Sequence, residues 1–351
     1  MRFVTIHMGA DTYLDHLGVL SILLDIPMIV TDPETFHVAQ RFYPKLKCVL
    51  KDPLDLSLPF LANHYDVILM SGRFLADEMI PLFDLLFRKK MRMIYCPHGN
   101  SDKGYSLQDT PSQDISLVYG QHMIDLLQKI GALEKISSYV VTGNFRAHFY
   151  LENKSYYDSI THQLLGPHID KNKKTLLYAP TFSDKENTSS FFSKCEKIIE
   201  GLHPNFNLVI KLHPGLEEQA LAHTHYVREK YKKIENVVFL SSFPMIYPLL
   251  NFCDGYLGDF SSIGYDMLFF KKPMFFFGSN AGIIYRCGQE VPADGDILSF
   301  ILENWDWNVT HFVSIRKEIY SYTFGRKQSG KEMLRKIKRA LLNRRALDRE
   351  N

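Results

Sequence analysis

The feature that most constrains this chain is a regular alternation of short apolar runs with segments of helix length. Each run ends in turn residues, and such alternation is typical of βαβ units, whose strands pair in parallel. We predict strands at 3–7, 28–30, 48–50, 67–70, 93–96, 116–119 and 139–142 in the first half of the chain. In the second half we predict them at 175–178, 208–212, 237–240, 255–257 and 274–277. The fold class expected is therefore α/β, with parallel sheets.

Length and composition indicate two globular domains. The chain has 351 residues, of which 46% are hydrophobic and 23% charged, and this length exceeds the size at which one core usually keeps growing. A polar segment at 150–174, rich in Asn, His and Lys, separates the two sets of strands. We predict Rossmann-like domains at 1–150 and 175–325, followed by a basic amphipathic helix within 326–351.

Charge, cysteine content and hydropathy exclude several classes of protein. A net charge of +2 does not favour nucleic-acid binding. The five cysteines are odd in number and lack C-x-x-C spacing, so we expect neither a disulfide framework nor a zinc site. No apolar run is long enough to span a bilayer, and the N-terminus has the pattern of a strand rather than of a signal peptide. We expect a cytoplasmic protein without a metal or other cofactor.

Parallel sheets bind ligands beyond the carboxyl ends of their strands, so the residues that follow each strand are the candidates. His98 lies in such a loop, Cys96-Pro-His-Gly-Asn-Ser-Asp-Lys103. An imidazole there has a pKa suited to accept a proton near neutral pH. The alternative is a loop histidine that only bonds to the backbone.

A second candidate follows the strand predicted at 208–212. Lys211 and His213 alternate at its end, which places both side chains on one face, before Pro214 and Gly215. Together they could bind phosphate and protonate a leaving oxygen. The alternative is a Pro-Gly turn with solvated neighbours.

A third candidate follows the strand predicted at 255–257. Ser261 and Ser262 precede an apolar helical stretch, where they could cap the helix or meet a pyrophosphate with their amides and hydroxyls. Asp266, one turn later, could accept hydrogen bonds from donor hydroxyls or lie exposed. Thr181, after the strand predicted at 175–178, presents a hydroxyl to the same ligand or forms a turn.

Taken in order, these segments resemble the CDP-glycerol glycerophosphotransferase family of teichoic-acid synthesis. The resemblance covers about half of the chain and rests on His98-Gly with Lys103, Tyr178-Ala-Pro-Thr181, Lys211-Leu-His-Pro214, and Asp259-Phe-Ser-Ser262 with Asp266. It implies a GT-B fold, with two Rossmann-like domains whose sheets face an interdomain cleft. It also implies metal-independent transfer of phosphoglycerol from a CDP-linked donor to a hydroxyl acceptor.

The resemblance also implies roles for the candidate residues. His98 matches the family's proposed base on the acceptor side, and His213 matches the histidine at the donor phosphates. The remaining residues are implied to bind the diphosphate or line the donor pocket: Lys103, Thr181, Lys211, Asp259, Ser261, Ser262 and Asp266. Asn100-Ser101 and Ser183 depart from the family, which often has Thr-Pro and an Arg at these places.

Three other functions compete with this one. A GT-B glycosyltransferase that uses a nucleotide sugar for capsule or lipopolysaccharide is the main alternative. A UDP-N-acetylglucosamine 2-epimerase would have Ser-Gly-Gly and paired Glu where Ser261 to Asp266 stand. An inactive nucleotide-binding scaffold is disfavoured because both His98 and His213 are present.

The end of the chain is strongly basic. Met333, Leu334, Ile337, Ala340, Leu341 and Leu342 recur at helical spacing between eight Lys or Arg residues in 331–349. We expect this apolar stripe to pack on protein, with Lys338, Arg339, Arg344 and Arg345 facing outward. Such a basic face suits the anionic inner surface of the cytoplasmic membrane, which would bring the enzyme to a lipid-linked acceptor.

Overall fold

The computed structural model describes residues 1–9, 11–72, 76–108, 114–184, 189–240, 243–259, 261–278, 282–326 and 330–342. The chain forms two compact units, each with one sheet. Unit 1 comprises Met1–Phe149 and Tyr322–Asn351, and unit 2 comprises Tyr150–Ser321. The expected division assigned 326–351 to a separate helix, whereas the structure groups the chain from Tyr322 onward with unit 1.

Unit 1 contains a seven-stranded parallel sheet in the order β3-β2-β1-β4-β5-β6-β7. Its strands are β1 (Phe3–His7), β2 (Met28–Val30), β3 (Cys48–Leu50), β4 (Val67–Met70), β5 (Arg92–Tyr95), β6 (Ile115–Val118) and β7 (Tyr139–Val141). Every residue of the central strand β4 is buried, as expected for a parallel strand covered on both faces.

The helices of unit 1 follow these strands: α1 (Leu17–Leu24), α2 (Pro33–Phe42), α3 (Leu58–His64), α4 (Ala76–Phe87), α5 (Gln121–Lys129) and the start of α6 (Phe145–Glu152). Local chemistry defines their starts. The Asp32 side chain, for example, accepts from the Thr35 amide at 2.6 Å and Pro33 begins α2. One part of the core lies between β1, β4 and the helices α3 and α4, around Ile6, Leu61 and Phe83.

Unit 2 contains a six-stranded parallel sheet in the order β10-β9-β8-β11-β12-β13. Its strands are β8 (Lys174–Ala179), β9 (Phe206–Lys211), β10 (Val237–Leu240), β11 (Gly255–Gly258), β12 (Met274–Phe276) and β13 (Gln289–Glu290). Its helices are α7 (Lys154–Leu165), α8 (Phe191–Glu200), α9 (Pro214–Gln219), α10 (Leu221–Tyr231), α11 (Ile246–Phe252), α12 (Ser262–Met267), α13 (Ile297–Glu303), α14 (Trp305–His311) and most of α15 (Val313–Phe324). One hydrophobic core of this unit includes buried residues from four of its strands, namely Leu176, Leu208, Ile210, Leu257 and Phe275.

The α/β class with parallel sheets is confirmed. All twelve predicted strands are present, with ends displaced by at most two residues. The short edge strand β13 was not predicted, because Gln289 and Glu290 are polar and show no apolar run.

The last described helix, α16 (Gly330–Leu342), packs on α1 and β7 of unit 1. Met333, Ile337, Ala340 and Leu341 form its buried face, and Arg92 donates to the Leu341 carbonyl at 3.2 Å. Two residues of the apolar stripe that was expected to pack on protein are not buried: Leu342 is 58% exposed and Leu334 is half-buried. Lys338 and Arg339 are exposed as expected, whereas Arg344 and Arg345 lie outside the described residues. No helix of the described chain is both long and apolar enough to cross a bilayer.

Candidate functional site

His98 follows β5 in unit 1 and is half-buried. Its ring stacks on Tyr13 with centroids 4.6 Å apart, and its Nδ1 is buried without a hydrogen-bond partner in the described chain. Burial lowers the pKa of His98, and a hydrogen bond with the backbone of Ser71 opposes this only in part. The neutral imidazole, which can accept a proton, is therefore favoured at pH 7.

The backbone beside His98 is held by a buried polar network in unit 1. Tyr119 donates its hydroxyl proton to the Pro97 carbonyl at 3.1 Å. That hydroxyl has only one proton, so its 2.8 Å bond to His16 requires His16 Nδ1 to be the donor. Burial makes the largest contribution to lowering the pKa of His16, and the charges of Arg146 and His98 lower it further, so His16 stays neutral. The Arg146 side chain is itself paired with Asp15 at 2.9 Å.

The rest of the loop bonds to α5, which follows the adjacent strand β6. Asn100 Nδ2 lies 2.9 Å from His122 Nδ1, and His122 Nε2 lies 3.0 Å from Asp102 Oδ1. Lys103 is buried, with 6% exposure, and its backbone amide donates to the Ser101 hydroxyl at 3.1 Å. The loop from Pro97 to Lys103 is thus fastened at several points.

His213 caps helix α9 in unit 2. Its Nδ1 accepts a hydrogen bond from the Gly215 amide at 3.0 Å, and its ring stacks on Phe182 at 4.6 Å. Because Nδ1 acts as the acceptor, the neutral ring carries its proton on Nε2. His213 can therefore donate from Nε2 to an anionic oxygen.

Lys211 ends β9 and is buried, with 8% exposure. Its ammonium donates to the Phe243 carbonyl at 3.0 Å, which fastens the segment before α11. An ammonium has three donors, so this bond does not by itself exhaust the hydrogen-bonding capacity of Lys211.

Thr181 and Asp259 follow the adjacent strands β8 and β11 and are joined directly. Asp259 Oδ2 accepts from the Thr181 amide at 2.9 Å and from the Ser190 amide at 3.1 Å. Both Thr181 and Asp259 are buried, and the Ser189 hydroxyl donates to the Thr181 carbonyl at 2.5 Å. Asp259 therefore holds the loop after β8 to the start of α8, a positioning role that its spacing did not reveal.

Ser261 and Ser262 begin helix α12. Ser261 is the N-cap, with its hydroxyl accepting from the Ile263 amide at 3.5 Å, and Ser262 is the first helical residue. Asp266 lies in the same helix but is only 3% exposed, and it accepts from the Tyr247 hydroxyl at 2.9 Å. The alternative of an exposed helical carboxylate is therefore wrong for Asp266.

The sheets bring the predicted residues into two groups, one in each unit. In unit 1, His98 and Lys103 lie in the segment that follows β5. In unit 2, the others lie at the carboxyl ends of the adjacent strands β9, β8 and β11: Thr181, Lys211, His213, Asp259, Ser261, Ser262 and Asp266. Sequence reasoning missed Tyr119, His16, His122 and Phe182, whose partners are distant in the chain or carry no motif. Within the described residues, no three His, Cys, Asp or Glu side chains form a cluster suited to a metal ion.

The chain matches the model of one protein family, described as CDP-glycerol:poly(glycerophosphate) glycerophosphotransferase, over residues 93–286. That range contains every candidate residue of both groups. No curated protein sequence matches the chain.

Solved structures match nearly the whole chain. A variant of the wall teichoic acid polymerase TagF soaked with CDPG has a TM-score of 0.63 and 15% identity, covering 97% of this chain and 90% of that one. The UDP-GlcNAc 2-epimerase of Neisseria meningitidis has a TM-score of 0.57 and 15% identity, covering 97% of this chain and 100% of that one. The S. aureus MnaA complex with UDP has a TM-score of 0.60 and 13% identity, covering 99% of both chains. These similarities confirm the expected GT-B fold class.

Proposed function

The chain belongs to the CDP-glycerol:poly(glycerophosphate) glycerophosphotransferase family, and we propose that it transfers phosphoglycerol from CDP-glycerol to a hydroxyl acceptor in the synthesis of a teichoic-acid type polymer. The observation that carries this proposal is the family match over 93–286, which spans the His98 loop and the Ser261–Ser262 helix start alike. We assign the acceptor side of the reaction to unit 1 and the donor side to unit 2.

The reaction is an in-line displacement at the phosphorus that bears glycerol. The acceptor hydroxyl attacks this phosphorus, its proton passes to His98, and the bond to the bridging oxygen of CMP breaks. The products are CMP and the phosphoglyceryl acceptor. A neutral His98, maintained by burial, suits the proton transfer.

On the donor side, phosphoryl transfer requires charge stabilisation and positioning more than covalent catalysis. His213 donates from Nε2 to the leaving phosphate, and Lys211 adds positive charge. Ser261 and Ser262 contact the diphosphate from the start of α12. Thr181, Asp259 and Asp266 support the donor pocket, and Lys103 adds a cation on the loop of His98.

The donor assignment makes a direct prediction. We expect the protein to release CMP from CDP-glycerol when a hydroxyl acceptor is present, with far lower turnover of UDP-glucose or UDP-N-acetylglucosamine. Chromatography of the nucleotide products measures this. UDP as the main product would indicate a glycosyltransferase, an epimerised UDP-sugar would indicate an isomerase, and binding without turnover would indicate a scaffold.

We further propose that α16 attaches the protein to an anionic membrane surface, where a lipid-linked acceptor would be reached. Its outer face exposes Lys331, Arg335, Lys336, Lys338 and Arg339, with Glu332 as the exposed acidic residue. Each basic residue near such a surface contributes about 1 kcal/mol, and salt screens this attraction. The buried stripe of α16 is used within unit 1, so the attachment is mainly electrostatic.

Vesicle sedimentation tests this attachment. We expect salt-sensitive binding to vesicles of phosphatidylglycerol but not of phosphatidylcholine. Changing Lys331, Arg335, Lys338 and Arg339 to Gln should abolish it. A matched control changes four exposed lysines of unit 2 to Gln, namely Lys171, Lys197, Lys232 and Lys233. Equal loss of binding in both variants would show a general charge effect and contradict a role for α16.

A further inference from the structure

Two buried polar atoms without a hydrogen-bond partner in the described chain lie in the loop that follows β5. They are His98 Nδ1 and Asn100 Oδ1. A buried polar atom left unpaired is destabilising because it has lost its hydrogen bonds to water, so such atoms are rare and call for an explanation. His98 and Asn100 are separated only by Gly99, whose φ of 141° turns the loop between them.

The orientation of the Asn100 carboxamide is determined by its neighbours. A carboxylate only accepts hydrogen bonds, so the 3.0 Å bond from His122 to Asp102 places the imidazole proton on Nε2. In the neutral ring, His122 Nδ1 is then the acceptor, and Asn100 directs its Nδ2 group toward it, at 2.9 Å. The amide oxygen is consequently the atom that remains unpaired. His122 and Asp102 are both nearly buried, which holds this arrangement in place.

We infer that Asn100 Oδ1 binds a second hydroxyl of the acceptor substrate, next to the hydroxyl that His98 deprotonates. This inference rests on the proposed function. An amide oxygen accepts but cannot donate, so its partner must bring a proton, as a hydroxyl does. An acceptor that ends in a vicinal diol meets this requirement, and Asp102 and His122 are positioning residues that keep the amide oxygen toward it.

The test compares two acceptors that differ by one hydroxyl. Octyl phosphoglycerol ends in a vicinal diol, and octyl 3-hydroxypropyl phosphate keeps the attacking hydroxyl but lacks its neighbour. With CDP-glycerol as donor, we expect the wild type to favour the diol by about tenfold to a hundredfold in kcat/KM, mostly through acceptor KM. Asn100→Ala should bring this ratio close to one, whereas Asn63→Ala, on the surface of α3, should leave it unchanged.

Variants of His122 separate positioning from mere support of the fold. His122→Asn can still accept from Asn100 and should keep most of the preference for the diol. His122→Leu cannot accept and should lose it, even if both variants unfold at the same temperature. A preference for the diol that survives in Asn100→Ala would overturn the subsite while CMP release continues. Absence of CMP release from CDP-glycerol in the wild type would instead contradict the proposed function itself.

Discussion

Replacement of His98 with alanine is expected to lower kcat by about two to four orders of magnitude, while CDP-glycerol binds with nearly unchanged affinity. The reason is that His98 is assigned the proton transfer on the acceptor side, whereas the donor phosphates are assigned to residues of unit 2. Steady-state kinetics and calorimetric titration with CDP-glycerol measure the two quantities separately. His37→Ala, which removes an exposed imidazole from α2, is the matched control.

The pH dependence gives an independent check of this assignment. Only the neutral form of His98 can accept the proton, so kcat/KM should fall as the pH decreases through the pKa of His98. Because burial lowers that pKa from its ordinary value of 6.5, the decline should occur below pH 6.5. His16 has a pKa lowered further by burial and by Arg146, so it titrates at more acidic pH. A wild-type decline centred above pH 7, or near wild-type turnover in His98→Ala, would remove His98 from the role of base.

Replacement of His213 with alanine should produce a different kinetic result. We expect kcat to fall by about a hundredfold to a thousandfold because a donor to the leaving phosphate is lost. Affinity for CDP should also fall, by about tenfold or more, since a hydrogen bond to a charged group contributes about 1.5–3 kcal/mol. Ser262→Ala should weaken CDP binding in the same direction. Calorimetric titration with CDP measures the affinities.

His213 also caps α9, so loss of the cap must be separated from loss of the phosphate contact. Removing an N-cap costs about 1 kcal/mol of stability, and asparagine is among the best replacements. His213→Asn should therefore unfold near the wild-type temperature but remain as impaired in CDP binding as His213→Ala. If His213→Asn restores CDP affinity, the histidine serves only as a cap and the diphosphate binds elsewhere.

Several features of this protein follow from local sequence alone. The buried strands could be predicted because a parallel strand covered on both faces requires a continuous apolar run, as in Val67–Met70. Ser261 was expected at a helix start because a hydroxyl there accepts a hydrogen bond from a backbone amide of the first turn. The placement of His98 and His213 after strands followed from the same logic. These features depend on residues near one another in the chain.

Other features were decided by tertiary structure. Asp266 was compatible with an exposed position by sequence, but it is buried and accepts a hydrogen bond from Tyr247 of another helix. Leu342 matched the apolar period of α16 but is 58% exposed. The bonds of His122 to Asn100 and Asp102 join the loop after β5 to helix α5, which follows the adjacent strand β6. The physical reason is the same in each case: strand order and helix packing choose the partner of a polar or apolar side chain, and periodicity within a segment contains no information about that partner.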